Sequence, residues 1–114
     1  MSNNTTSKNA VTNTLTPSAV DVVLLTNPAF GCIVENLTCN APIWFTVSAP
    51  GGPGTAPVVP SGGASVGAQY AVGGSVGPTS LSVRGPAQFG QVIQLVSINA
   101  EQYTVSVLGN QANV

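Results

Sequence analysis

Apolar and polar positions alternate most clearly near the C-terminus. In residues 89–108, Tyr103, Val105 and Val107 fall on one side of an extended chain, and Thr104 and Ser106 on the other. That period of two marks a strand with one face in a core and one in water. Just before it, residues 92–98 are apolar on both sides apart from Gln94 and Ser97, as in a strand covered on both faces. The link Asn99-Ala100-Glu101 is short and polar, so the two runs are expected to form a hairpin. A hairpin alone is marginal in water, and further strands must flank it.

Upstream, residues 19–26 read as a strand rich in Val and Leu, followed by a turn at Asn27-Pro28-Ala29. Residues 30–36 and 43–48 are expected to pair, joined by the short link 37–41. In the second of these runs Ile43, Phe45 and Val47 alternate with Trp44, Thr46 and Ser48. Pro42 stands at its start, where a missing backbone donor does least harm. Residues 49–63 carry Pro and Gly at a density that excludes a helix or a central strand, and they form a long loop. Weaker strands follow at 64–72 and 79–84, separated by a Gly-rich turn. About seven short strands, spaced near ten residues apart with no helix, predict a single small β-sandwich or a barrel of similar size at 19–109. Residues 1–18, dominated by Asn, Thr and Ser with single apolar residues at Val11 and Leu15, are set apart as a disordered tail or as an extended arm that orders on a neighbour. Residues 110–114 are a short polar tail.

Composition narrows the function. Only 4% of the 114 residues are charged, namely Lys8, Asp21, Glu35, Arg84 and Glu101, against a usual ~25%. Solubility must then rest on neutral polar groups, or else partners cover the surface, and neutral faces pack without the desolvation cost of charged ones. Two isolated cations in a chain of net charge −1 do not make a nucleic-acid site. No apolar run approaches the ~20 residues of a membrane span. The opening Met-Ser-Asn-Asn-Thr-Thr-Ser-Lys lacks the layout of a secretory signal, so synthesis and folding in a cytoplasm are expected.

Catalytic chemistry has few candidates. Histidine is absent, which removes the commonest general base and most nitrogen-ligated metal sites. The three carboxylates lie in separate segments, and the one lysine lies in the arm. The Gly runs at 51–54 and 73–74 lead into neither Gly-Lys-Ser/Thr nor a helix, and read as turns. No enzyme activity, metal or cofactor is expected. Cys32 and Cys39 either close the predicted hairpin as a disulfide or, in a reducing cytoplasm, remain free buried thiols; the second is preferred. Asn36-Leu37-Thr38 and Asn3-Asn4-Thr5 match glycosylation sequons, read as chance. Trp44 is expected half-exposed under a loop while Phe45 enters the core, and Trp44 doubles as a candidate interface anchor. Arg84 is free to pair with Glu35 or Glu101.

Three features together resemble the small all-β virion proteins of tailed double-stranded DNA bacteriophages: Glu35-Asn36 before a short loop, Ile43-Trp44-Phe45-Thr46-Val47 before a Gly/Pro-rich loop, and the ending from Gln91 to Val107 with its Ala100-Glu101-Gln102-Tyr103-Thr104-Val105. The resemblance spans residues 20–108. It implies a capsid decoration or cement protein on the virion surface, a homo-oligomer, with a trimer favoured, that binds the major capsid protein and braces the shell. It implies no catalytic residues. The candidate partner contacts are then Val11, Leu15 and Pro17 on the arm, Trp44 on its strand, and Pro53 and Pro57 on the long loop. A competing reading is a carbohydrate- or receptor-binding module of a spike, fibre or tail, with Trp44 or Tyr70 as a stacking platform.

Overall fold

The structure, a computed structural model, describes residues 4–27, 30–49, 54–60, 69–75, 77–84 and 91–109. These form nine strands: β1 (Asn4–Ser7), β2 (Ala10–Thr14), β3 (Asp21–Leu25), β4 (Gly31–Asn36), β5 (Ile43–Ser48), β6 (Tyr70–Val72), β7 (Ser80–Arg84), β8 (Gln91–Val96) and β9 (Gln102–Val107). A five-stranded sheet runs β1-β3-β8-β5-β6 and a four-stranded sheet runs β2-β9-β4-β7. The chain is an all-β sandwich, as its alternation predicts.

The two inner faces meet in one core. Val23 and Leu25 of β3, Ile43 and Phe45 of β5, and Ile93 and Leu95 of β8 pack against Cys32 and Val34 of β4 and Tyr103 and Val105 of β9. All ten are fully or almost fully removed from water. Burying side chains of this size contributes roughly 1.5–3 kcal/mol each for the larger aliphatic and aromatic ones. Thr104 and Ser106 point outward, half-buried, so β9 follows its sequence alternation.

Both predicted strand pairs are corrected. β8 and β9 do not form a hairpin: β8 lies between β3 and β5, and β9 lies between β2 and β4 in the other sheet. β4 and β5 likewise belong to different sheets. The physical reason is common to both cases. Alternation shows that a strand has an apolar face, but two such faces are buried equally well side by side or opposed across a core. Here they are opposed, and the links 37–42 and 97–101 cross the gap of about 10 Å between packed sheets.

Residues 4–14 differ most from the expectation of a separate arm. β1 lies parallel to β3, with Asn4 opposite Val22 and Ser7 opposite Leu25. β2 lies antiparallel to β9, with Val11 opposite Val105. The segment therefore supplies one edge of each sheet. Val11 and Leu15 are 6% and 2% exposed and sit in the core, which removes them as accessible partner contacts. Two apolar side chains at this spacing suffice for an edge strand, because only one of its faces meets the core and only one of its edges is paired.

Candidate interaction surface

Two links and a long loop cluster the polar and exposed groups. At one end of the sandwich the β4–β5 link is held by Asn36, the last residue of β4. Its Nδ2 donates to the backbone oxygens of Ala41 at 2.8 Å and Val72 at 3.1 Å, and its Oδ1 accepts the Cys39 N–H at 2.9 Å. Glu101, only 1% exposed, accepts Thr38 Oγ1–H at 2.7 Å and the Asn40 N–H at 2.9 Å through one oxygen. Two side chains thus tie the links between β4 and β5 and between β8 and β9 to the edge strand β6. Glu101 is engaged here and not with Arg84. Arg84 and Glu35 are exposed and face opposite ends of the β4–β7 ladder, beside Gly31 and Ser80 respectively. The sequon at Asn36 is a structural device, since its amide nitrogen is buried and committed to two carbonyls.

Cys32 is fully buried and Cys39 half-buried, and both are free thiols. Cys32 lies on β4 opposite Val107 and Val83, whereas Cys39 lies in the crossing link, so no hairpin sets them opposite each other. The Cys39 thiol donates to the Asn36 backbone oxygen at 3.0 Å. Burial pushes the Cys32 thiol up to about 12, leaving it unreactive at neutral pH.

In the core, the Tyr103 hydroxyl donates to Asp21 Oδ2 at 3.0 Å, joining the two sheets. Burial first, then the Asp21 charge and that hydrogen bond, hold the phenol well above its ordinary range, while Asn13 acts in the opposite direction. Asn13 sits opposite Tyr103 on β2 and donates to Thr5 Oγ1 at 3.1 Å, which draws β1 into the same network. Among the described residues no three His, Cys, Asp or Glu side chains gather as a metal site.

The loop at 54–60 lies over the outer face of the five-stranded sheet. Thr46 Oγ1 donates to the Thr55 backbone oxygen at 2.7 Å, and Val58 exchanges two hydrogen bonds with the Gln69 side chain. Pro57, within this loop, is buried because the loop folds back on the sheet instead of projecting from it, and it lines the groove that opens there. Pro53 falls outside the described residues. Between the loop and the start of β3 opens a groove of about 450 Å³, walled by residues 56–59, Val20, Val96 and Ser18. Pro17, next to Ser18 in the turn that precedes Val20, is exposed.

Trp44 is half-buried on the same outer face as Val96, its register partner on β8. Tyr70 pairs instead with Phe45 and rests on that ring, centroids 5.3 Å apart, with 43% of its surface exposed. The two aromatic residues therefore face opposite sides of the sheet and do not build one stacking platform. Val58 (51%), Ile98 (58%), Leu37 (44%) and Phe30 (39%) are the other large apolar side chains exposed among the described residues.

Of the five charged residues, Asp21 and Glu101 are buried, and Lys8, Glu35 and Arg84 carry all the surface charge. Sequence reasoning counted the charges but missed this division. Comparison with protein-family models, with curated proteins and with solved structures finds no match for this chain.

Proposed function

We propose that this chain is a structural protein that acts through its surface alone, and that it serves as a decoration or cement protein on the capsid of a tailed bacteriophage. The carrying observation is the surface just described: three charged side chains, five large exposed apolar ones among the described residues and an apolar groove on a small sandwich. A free domain relies on charge to hold copies apart, and a surface so poor in it is suited to being covered. The sequence resemblance supplies the setting, in which the body binds the major capsid protein and neighbouring copies of itself, a trimer being favoured. On a lattice, many weak neutral contacts add up through avidity. The groove between residues 56–59 and Val20, flanked by Val58, is the contact assigned to the shell. No cofactor, metal, nucleic acid or catalytic residue enters this reading.

Co-sedimentation with shells assembled from the major capsid protein of the same virus tests it. Pelleting that saturates at a fixed ratio of chain to shell subunits is expected. A chain that stays in the supernatant at every concentration contradicts the proposal.

A further inference from the structure

We propose that residues 4–15 exchange between copies of this chain, the two N-terminal strands of one molecule completing both sheets of its neighbour. β1 and β2 each occupy the outermost position of their sheet, so their departure breaks no central pairing. Their ladders run to β3 and to β9, and the same bonds form whichever chain supplies the strands. What holds the segment to its own body is the turn at 16–19, closed by the Ala19 N–H to Thr16 backbone oxygen bond at 3.1 Å. Pro17 second and a left-handed residue third follow the pattern of a type II turn, which wants Gly or Asn at the third place. This turn has Ser18 there, at φ 62°. Opening it loses that bond and the one from the Ser18 N–H to the Ser97 backbone oxygen at 2.8 Å, and releases a conformation that a residue with a β-carbon resists. Strained hinges of this kind favour strand exchange.

Val11 and Leu15 fix where the opened segment goes. Both are core side chains, so the segment must fill the equivalent slot on a second copy. The scarcity of surface charge lets copies approach. A tethered segment acts at an effective concentration of about a millimolar, which keeps dilute molecules closed. Release of the Ser18 strain lowers that threshold, while the hydrogen bonds lost at the turn raise it. The inference goes beyond the proposed function and stands on the hinge and the sheet edges alone.

Thr12 and Thr104 test it, since they are register partners on β2 and β9 with hydroxyl oxygens 3.1 Å apart. Full-length Thr12→Cys and Thr104→Cys chains, each also carrying Cys39→Ser, are mixed at increasing concentration and oxidised. Disulfide-linked peptides are then read by mass spectrometry. Exchange predicts a link between position 12 of one chain and position 104 of the other. Its yield rises with concentration, and Ser18→Val moves its onset to about tenfold lower concentration. A single chain carrying both substitutions must form the link internally when dilute, which shows the pair to be competent. If it does, and the mixture yields no 12–104 link up to ~1 mM, exchange is overturned. Shell binding that persists with no such link overturns exchange and leaves the proposed function standing.

Discussion

The Tyr103 hydroxyl and the Asp21 carboxylate meet at 3.0 Å, buried between the two sheets, one from each. A hydrogen bond to a buried charged group contributes about 1.5–3 kcal/mol, more than a neutral one. Tyr103→Phe keeps the ring and removes only the donor. Urea unfolding is expected to show a loss of about 1.5–3 kcal/mol with an unchanged slope. Thr104→Val, on the outer face beside it, is expected to change stability by less than about 0.5 kcal/mol. Equal effects from both would contradict a special role for the inter-sheet bond.

Alkaline pH gives a second test. The Cys32 thiol ionises at about 12 in the folded chain against 9.0 when solvated, and the Tyr103 phenol is raised as well. A group whose folded pKa is raised holds its proton more tightly in the native state. Its contribution is complete below the unfolded pKa and is lost as pH rises towards the folded value. Stability is therefore expected to be level from neutrality to about pH 8.5. It then falls from pH 9 towards 12 by about 1.4 kcal/mol per pH unit for each raised group in its window. Cys32→Ala removes the thiol part and moves the onset up by about one unit, to the ordinary range of tyrosine. Denaturant midpoints measured from pH 7 to 11 read this directly, and an onset unmoved by Cys32→Ala would refute the assignment.

Asn36 and Gly73 form a third test. Gly73 has φ 80°, and a β-carbon there would overlap the Asn36 amide. Asn36→Asp abolishes donation to Ala41 and Val72 and is expected to cost about 2–4 kcal/mol. Gly73→Ala is expected to cost about 1–3 kcal/mol through the left-handed backbone and the displaced amide. Because both act on one hub, the double variant is expected to lose less than the sum of the two. Strict additivity in a denaturation series would show the sites to be independent.

Val58 separates fold from attachment. Half its surface is exposed at the groove, and its hydrogen bonds to Gln69 are made by the backbone. Val58→Glu is expected to leave stability within about 0.5 kcal/mol of the parent. It should lower shell binding at least tenfold by placing a charge in an apolar contact. Undiminished binding would assign the contact to another face.

The strands were legible because their core faces repeat with period two: Ile43, Phe45 and Val47 on β5, and Tyr103, Val105 and Val107 on β9, fall where the alternation placed them. Their partners were not legible. Local periodicity is the same for neighbours in one sheet and for strands opposed across a core, and the choice is made by contacts such as Glu101 to Thr38, 63 residues apart. The strands at 4–14 were hidden by composition, since an edge strand with one face outward needs only Val11 and Leu15 to be apolar. The burial of Asp21 and Glu101 had no sequence signal either, because the hydroxyls and backbone donors that satisfy them come from distant segments. The groove followed from that same limit, as nothing local shows where a Pro-rich loop will lie.

The most direct test of the central claim, that this nearly uncharged surface is made to be covered, is the native mass of the purified chain by light scattering across a concentration series from about 10 µM to about 1 mM. A defined oligomer, with three times the mass of the chain favoured, is the predicted result. A monomer that stays monodisperse and repulsive throughout that range would contradict it.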